Sequence, residues 1–84
     1  NSAVIFLQYP LEKPLDELSL ASFKQGISEW LGYADIRFGS IGVETKASDV
    51  NVTLLLNKCL EKQPFIASKN IFHLLRTMTS VRNR

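Results

Sequence analysis

The sequence predicts an α+β sandwich in which two helices cover one face of a small antiparallel sheet. Three observations lead to it. Apolar residues alternate at period two from Val50 to Leu56, the pattern of a half-buried strand. Two other segments, Leu20-Phe23-Ile27-Trp30-Leu31 and Ile71-Leu74-Leu75-Met78, repeat their apolar residues at helical spacing. Hydrophobic residues make up 45% and charged residues 21% of the 84 residues, which is the balance of one small globular domain with enough apolar side chain to offset its ordering entropy.

The first element is Ala3 to Tyr9, a β-branched and aromatic run that Pro10 ends. Both alternating sets, Val4 with Phe6 and Ile5 with Leu7, are apolar, which predicts a central strand covered on both faces. Leu11 to Leu18 contains Pro14 and reads as a connection that packs Leu15 and Leu18. Ser19 or Ser22 then caps the first helix, Ser22 with Gln25 in capping-box register. Gly32 follows the last apolar position as the left-handed terminator. Gly26 costs about 0.8–1 kcal/mol relative to alanine inside a helix, and marks a close backbone approach to the sheet.

Ile36 and Phe38, then Ile41 and Val43, alternate with polar residues or glycine, and the parity changes at Gly39-Ser40. A bulge inside one strand and a tight turn between two short strands both fit. Thr45 to Asp49 is a polar loop that makes an antiparallel hairpin with the strand from Val50 to Leu56 the natural connection. That strand turns Asn51, Thr53, Leu55 and Asn57 outward. Pro64 closes the next link, Ser68 caps the second helix, and Ser80 to Arg82 around Val81 is a short edge strand or a frayed tail. The order, βαββα with an optional last strand, is the split βαβ pattern of ferredoxin-like folds. Trp30 and Phe23 are expected to pack on the sheet with Phe6 or Ile5 beneath them.

Composition excludes most chemistry. Ten basic and eight acidic residues leave a net charge of +2, too little to announce a nucleic-acid partner. Past Glu61, however, Lys69, Arg76, Arg82 and Arg84 have no acidic neighbour. The simpler account is complementarity to a helix C-terminus, and contact with an acidic surface or lipid headgroups is the other. One cysteine, Cys59, excludes an internal disulfide, and with His73 as the single histidine a standard structural zinc site is excluded too. His73 has no nucleophile at a motif spacing, and Cys59 near Lys58 and Lys62 reads as a free thiol. Asp16-Glu17 suits the positive end of the first helix better than acid/base work. Gly26, Gly32, Gly39 and Gly42 form no phosphate-cradling motif. No cofactor, metal or small-molecule substrate is expected. The segment Ile36 to Val43 is similar to the aromatic-rich strand of RNA-binding ferredoxin-like modules, but it has a single aromatic, Phe38, where about two or three are needed. The longest apolar runs, Ala3 to Leu7 and Leu54 to Leu56, fall short of the roughly 20 residues of a membrane span, and the opening residues lack the basic-then-apolar order of a signal peptide.

Asn51-Val52-Thr53 is an N-glycosylation sequon on the outward face of its strand. With it stand the opening strand Val4-Ile5-Phe6-Leu7, the approach from Pro14-Leu15 to Phe23, the hairpin of Ile36–Val43 and Val50–Leu56, and the helix from Ser68. In this layout the chain resembles SEA-type domains, extracellular modules found near membranes in mucins and other cell-surface proteins. It is similar as well to the membrane-proximal ectodomains of secretory-granule receptor-type tyrosine phosphatases. The resemblance covers nearly the whole chain as a pattern without long identity. It implies a non-enzymatic single domain of a larger protein, extracellular or lumenal and adjacent to a membrane, acting as a spacer or protein-interaction module. Some members of that family cleave themselves at a Gly-Ser bond followed by branched residues, and Gly39-Ser40-Ile41-Gly42-Val43 resembles that motif with Ser40 as the nucleophile. Gly42 stands where a branched residue is usual, and a bulge would place Gly39-Ser40 inside a strand, so the chain is expected to stay intact.

Leu55 is the apolar residue in the outward polar row, with Arg37 or Asp35 expected to flank it. It is the candidate centre of a contact with a protein partner or a second copy. The alternative function is a cytoplasmic ferredoxin-like interaction or regulatory domain that pairs through a sheet edge or face.

Overall fold

Alternation at period two decides the sheet. Val50, Val52, Leu54 and Leu56 are all buried, while the residues between them turn to the other side. The computed structural model describes residues 2–58 and 61–78. Its elements are β1 (Ala3–Pro10), α1 (Glu17–Tyr33), β2 (Phe38–Lys46), β3 (Asp49–Leu56) and α2 (Gln63–Met78). The strand order is β1-β3-β2, antiparallel throughout, so α1 carries the chain across the place that β3 later fills. This is the small ferredoxin-like α+β sandwich that the sequence predicts.

One face of the sheet takes both helices. Ile5 and Ile41 flank Leu54, and Leu7 and Val43 flank Val52. Onto them pack Phe23, Ile27 and Leu31 from α1 and Ala67, Ile71, Leu74 and Leu75 from α2. Each fully buried Leu, Ile or Phe contributes about 1.5–3 kcal/mol. Apart from Tyr9, whose hydroxyl donates to the Ser68 carbonyl, no side chain with a polar group is buried among the described residues.

The structure corrects the punctuation. Asp16, not Ser19 or Ser22, caps α1: its carboxylate accepts the Ser19 N–H at 2.7 Å. Gly32 does not end the helix. The left-handed position falls on Asp35 (φ 58°), where the Asp35 N–H donates to the Gly32 carbonyl and the Ile36 N–H to that of Leu31. These two bonds form a complete Schellman motif, and buried Ile36 makes the apolar contact that goes with it. Ser68 lies inside α2 rather than at its start, and Pro64 is in the first turn, where a missing N–H costs nothing. Gly26 marks a close approach to α2 instead of the sheet, since a Cβ there would stand 2.8 Å from Leu74 Cδ2. The polar loop from Thr45 to Asp49 shrinks to a turn at Ala47-Ser48, with Lys46 already paired to Asp49. Ala47 takes φ 56° to make that turn. Leu18 is 78% exposed, so in the connection before α1 it is Leu11 and Leu15 that pack.

β1 departs furthest from expectation. It is not covered on both faces: Val4 is 53% and Phe6 77% exposed. Phe6 therefore does not lie beneath Phe23 and Trp30; Ile5 is the residue on that side. Nor is β1 central among the described residues, where it pairs with β3 alone. The strand expected around Val81, and Cys59, lie outside the described residues.

Candidate interaction surface

The uncovered face of the sheet is built by the same alternation that fills the core. β1 contributes Val4, Phe6 and Gln8, β3 contributes Asn51, Thr53 and Leu55, and β2 contributes Ser40, Gly42 and Glu44. Register sets the neighbours. Val4 and Ser40 stand on either side of Leu55, Phe6 and Gly42 on either side of Thr53, and Gln8 and Glu44 on either side of Asn51. Phe6 is thus a cross-strand diagonal from Leu55, within reach of its side chain. A Cβ at Gly42 would meet nothing nearer than Thr53 Cβ at 3.9 Å, so the β2 side of this face is low.

The apolar centre is Phe6 with Val4 and half-buried Leu55, not Leu55 alone. The β2 residue directly opposite Leu55 is Ser40, and Arg37 lies one step along, its carbonyl accepting the Asn57 N–H at 3.2 Å. Asp35 and Arg37 precede β2 and line, with Asn57, Lys58 and Gln63, a polar cleft of about 400 Å³ at the end of the sheet. Around the apolar centre the rim is polar, and Gln8 Nε2 donates to Asp49 Oδ2 at 2.6 Å. Phe38, the aromatic of the segment similar to RNA-binding strands, belongs to the core side, where it packs against the buried cluster.

All four residues singled out in the sequence come to this face. Gly39 is the bulge, between Phe38 opposite Leu56 and Ser40 opposite Leu55. A side chain there would meet Asn57 Oδ1 at 2.8 Å and Leu55 Cδ2 at 3.1 Å, which explains the glycine. No glycine has positive φ, so Gly39-Ser40 carries no left-handed strain of the kind a self-cleaving bond would draw on. Ser40 is exposed, and Asn51 is half-buried between its two polar neighbours.

Phe6 was the residue that sequence reasoning missed. The apolar run Val4 to Leu7 is compatible with two covered faces or with one covered face and one sticky one; the signal within β1 was Gln8, a polar residue in the same alternate set as Val4 and Phe6. His73 is exposed, and among the described residues no cluster of His, Cys, Asp or Glu is arranged to hold a metal ion. No described helix is long and apolar enough to cross a membrane. No family model, curated protein or solved structure matches this chain.

Proposed function

We propose that this domain is a non-enzymatic protein-interaction module whose contact surface is the open face of its sheet, centred on Phe6. The exposure of that ring, 77%, carries the proposal. A phenylalanine held out by a rigid strand, with Val4 and Leu55 beside it and hydrogen-bonding residues around it, has the composition of an interface centre inside a polar rim. The surface is shallow, which suits a protein better than a small ligand.

An SEA-type extracellular, membrane-proximal setting is supported by the layout of the chain and by the sequon. Asn51 is part of the same face, so a glycan there would shade Phe6 and move the contact toward the edge of the patch. The exposed patch itself favours the second reading, a cytoplasmic setting in which Asn51 carries no glycan. One experiment separates these and a second tests the contact itself. Mass spectrometry of the protein secreted from animal cells reports whether Asn51 is modified. Phe6→Glu should leave the fold intact, within about 0.5 kcal/mol, and abolish self-association or partner capture. A variant that fails to fold would mean that this face is covered, and would end the proposal.

A further inference from the structure

The open face of the sheet is complementary in shape to itself. In its middle row Phe6 and Gly42 lie on either side of Thr53, so the bulkiest side chain of the face shares a row with a residue that has none. Gly42 is exposed, and a Cβ on it would meet only Thr53 Cβ, at 3.9 Å. A hollow of about 310 Å³ beside the Phe6 ring has Thr53, Asn51 and Glu44 in its lining. The β1 side of the face is therefore raised and the β2 side sunken.

The rows to either side have the same sense. Val4 on β1 stands across Leu55 from the smaller Ser40 on β2, and Gln8 stands across Asn51 from Glu44. Gln8 brings an amide donor to the β1 side and Glu44 an acceptor to the β2 side. The edge strand expected around Val81 would lie beside β1 in the plane of the sheet and leave this face open.

We propose that the open face binds a second copy of this chain, as a face-to-face dimer whose two-fold axis runs parallel to β3. The inference rests on the reading of this face as a contact surface and names its occupant. Such an axis exchanges the β1 and β2 sides and keeps each row opposite itself. Phe6 enters the depression over Gly42 of the second copy, and the reciprocal contact forms on the other side of the axis. Val4 meets Ser40, and Leu55 meets its own counterpart on the axis. Gln8 has a second amide N–H besides the one given to Asp49, and donates it to Glu44 of the second copy. The two Glu44 carboxylates stay on opposite sides of the axis. A two-fold across the strands would instead set Phe6 on Phe6 and leave Gly42 over Gly42. Three rows of three residues fall short of the roughly 20–30 residues a side of a stable interface, so the dimer exchanges with monomer. A glycan on Asn51 would stand at the axis and exclude the second copy.

The test uses the full chain made without glycan. Sedimentation equilibrium up to millimolar concentration should show a monomer–dimer equilibrium. Nuclear Overhauser effects filtered between labelled and unlabelled copies should join the Phe6 ring to Gly42. Phe6→Ala, which lacks the ring, and Gly42→Phe, which sets ring against ring, should each associate at least about tenfold more weakly than the parent chain. Mixed in equal amounts they should associate again, since every ring of one variant then faces a small residue of the other. Gly42 has no positive φ, so its backbone accepts phenylalanine, and circular dichroism checks that both variants fold. The proposal is overturned by a monomer at every concentration, by contacts between copies that join Phe6 to Phe6 or lie off this face, or by a mixture that does not associate. A strict monomer with folded variants ends the dimer alone and leaves the face to a different protein. A Phe6→Ala variant that unfolds would mean that the face is covered, and would end both readings.

Discussion

Phe23 and Trp30 share one face of α1, and a helical pattern treats them as equals. The structure does not. Phe23 has no exposed surface, whereas Trp30 sits half-buried at the margin of the core. A fully buried aromatic removes about 150–250 Å² from water, which at about 25 cal/mol per Å² amounts to about 4–6 kcal/mol as an upper bound. Large-to-small substitutions of buried aromatics cost about 3–5 kcal/mol. A domain of this length has a total stability of about 4–13 kcal/mol, so Phe23→Ala should remove from about a quarter to all of it. Trp30→Ala should cost about 1–2 kcal/mol, because a half-covered ring loses less transfer energy and the gap it leaves is open to solvent. Urea denaturation followed by far-UV circular dichroism measures both, since Trp30 is the single tryptophan and fluorescence vanishes with it. Equal costs, or a Phe23→Ala cost below about 1.5 kcal/mol, would refute the placement of α1 on the sheet.

Three further outcomes can be checked by thermal melts. The Ser19 N–H holds the Asp16 carboxyl below the usual carboxylate range; stability from this cap is present above the unfolded-state pKa and lost as pH falls through the lower folded value, so Asp16→Asn should flatten the acid limb and Asp16→Ala should lower Tm at neutral pH. Tyr9 donates to the Ser68 carbonyl at 3.1 Å, and Tyr9→Phe should cost about 0.5–1.5 kcal/mol. Burial raises the Tyr9 pKa, so that residue's contribution persists below the ordinary tyrosine pKa and is lost as pH climbs through the raised one, an alkaline limb the Phe variant should lack. Asp35→Gly should stabilise by about 0.5–1 kcal/mol by relieving the left-handed backbone, and Asp35→Val should destabilise.

What was legible in the sequence was whatever periodicity alone decides. β3 alternates because one of its faces is dry, and α2 repeats at helical spacing because one stripe meets the sheet; both patterns are written once and read one way. Punctuation was not legible. Asp16, Ser19 and Ser22 can each cap a helix, and only the course of the incoming chain selects among them. Gly32 suits a terminator, but aspartate tolerates the same conformation, and the helix ran on until Ile36 could close it with an apolar contact. Thr45 and Lys46 look like loop residues until cross-strand partners draw them into the ladder. The candidate surface failed at Phe6 for a related reason: exposure depends on what the rest of the chain has left to cover a face, and two helices of this length cover one.

The sheet order also sets a timetable for biosynthesis. The partner of β1 is β3, and Gln8 and Asp49, which clasp the far end of that pair, are 41 residues apart in the chain. Within the domain the uncharged run Ala-Val-Ile-Phe-Leu is therefore made before its mate, and it waits unpaired while more than half of the 84 residues follow it. The hairpin of β2 and β3 closes locally through two residues and can form as soon as it emerges, presenting β3 as a template onto which β1 docks. Until then the chain displays an extended apolar segment with unpaired backbone groups, the kind of exposed strand that favours aggregation.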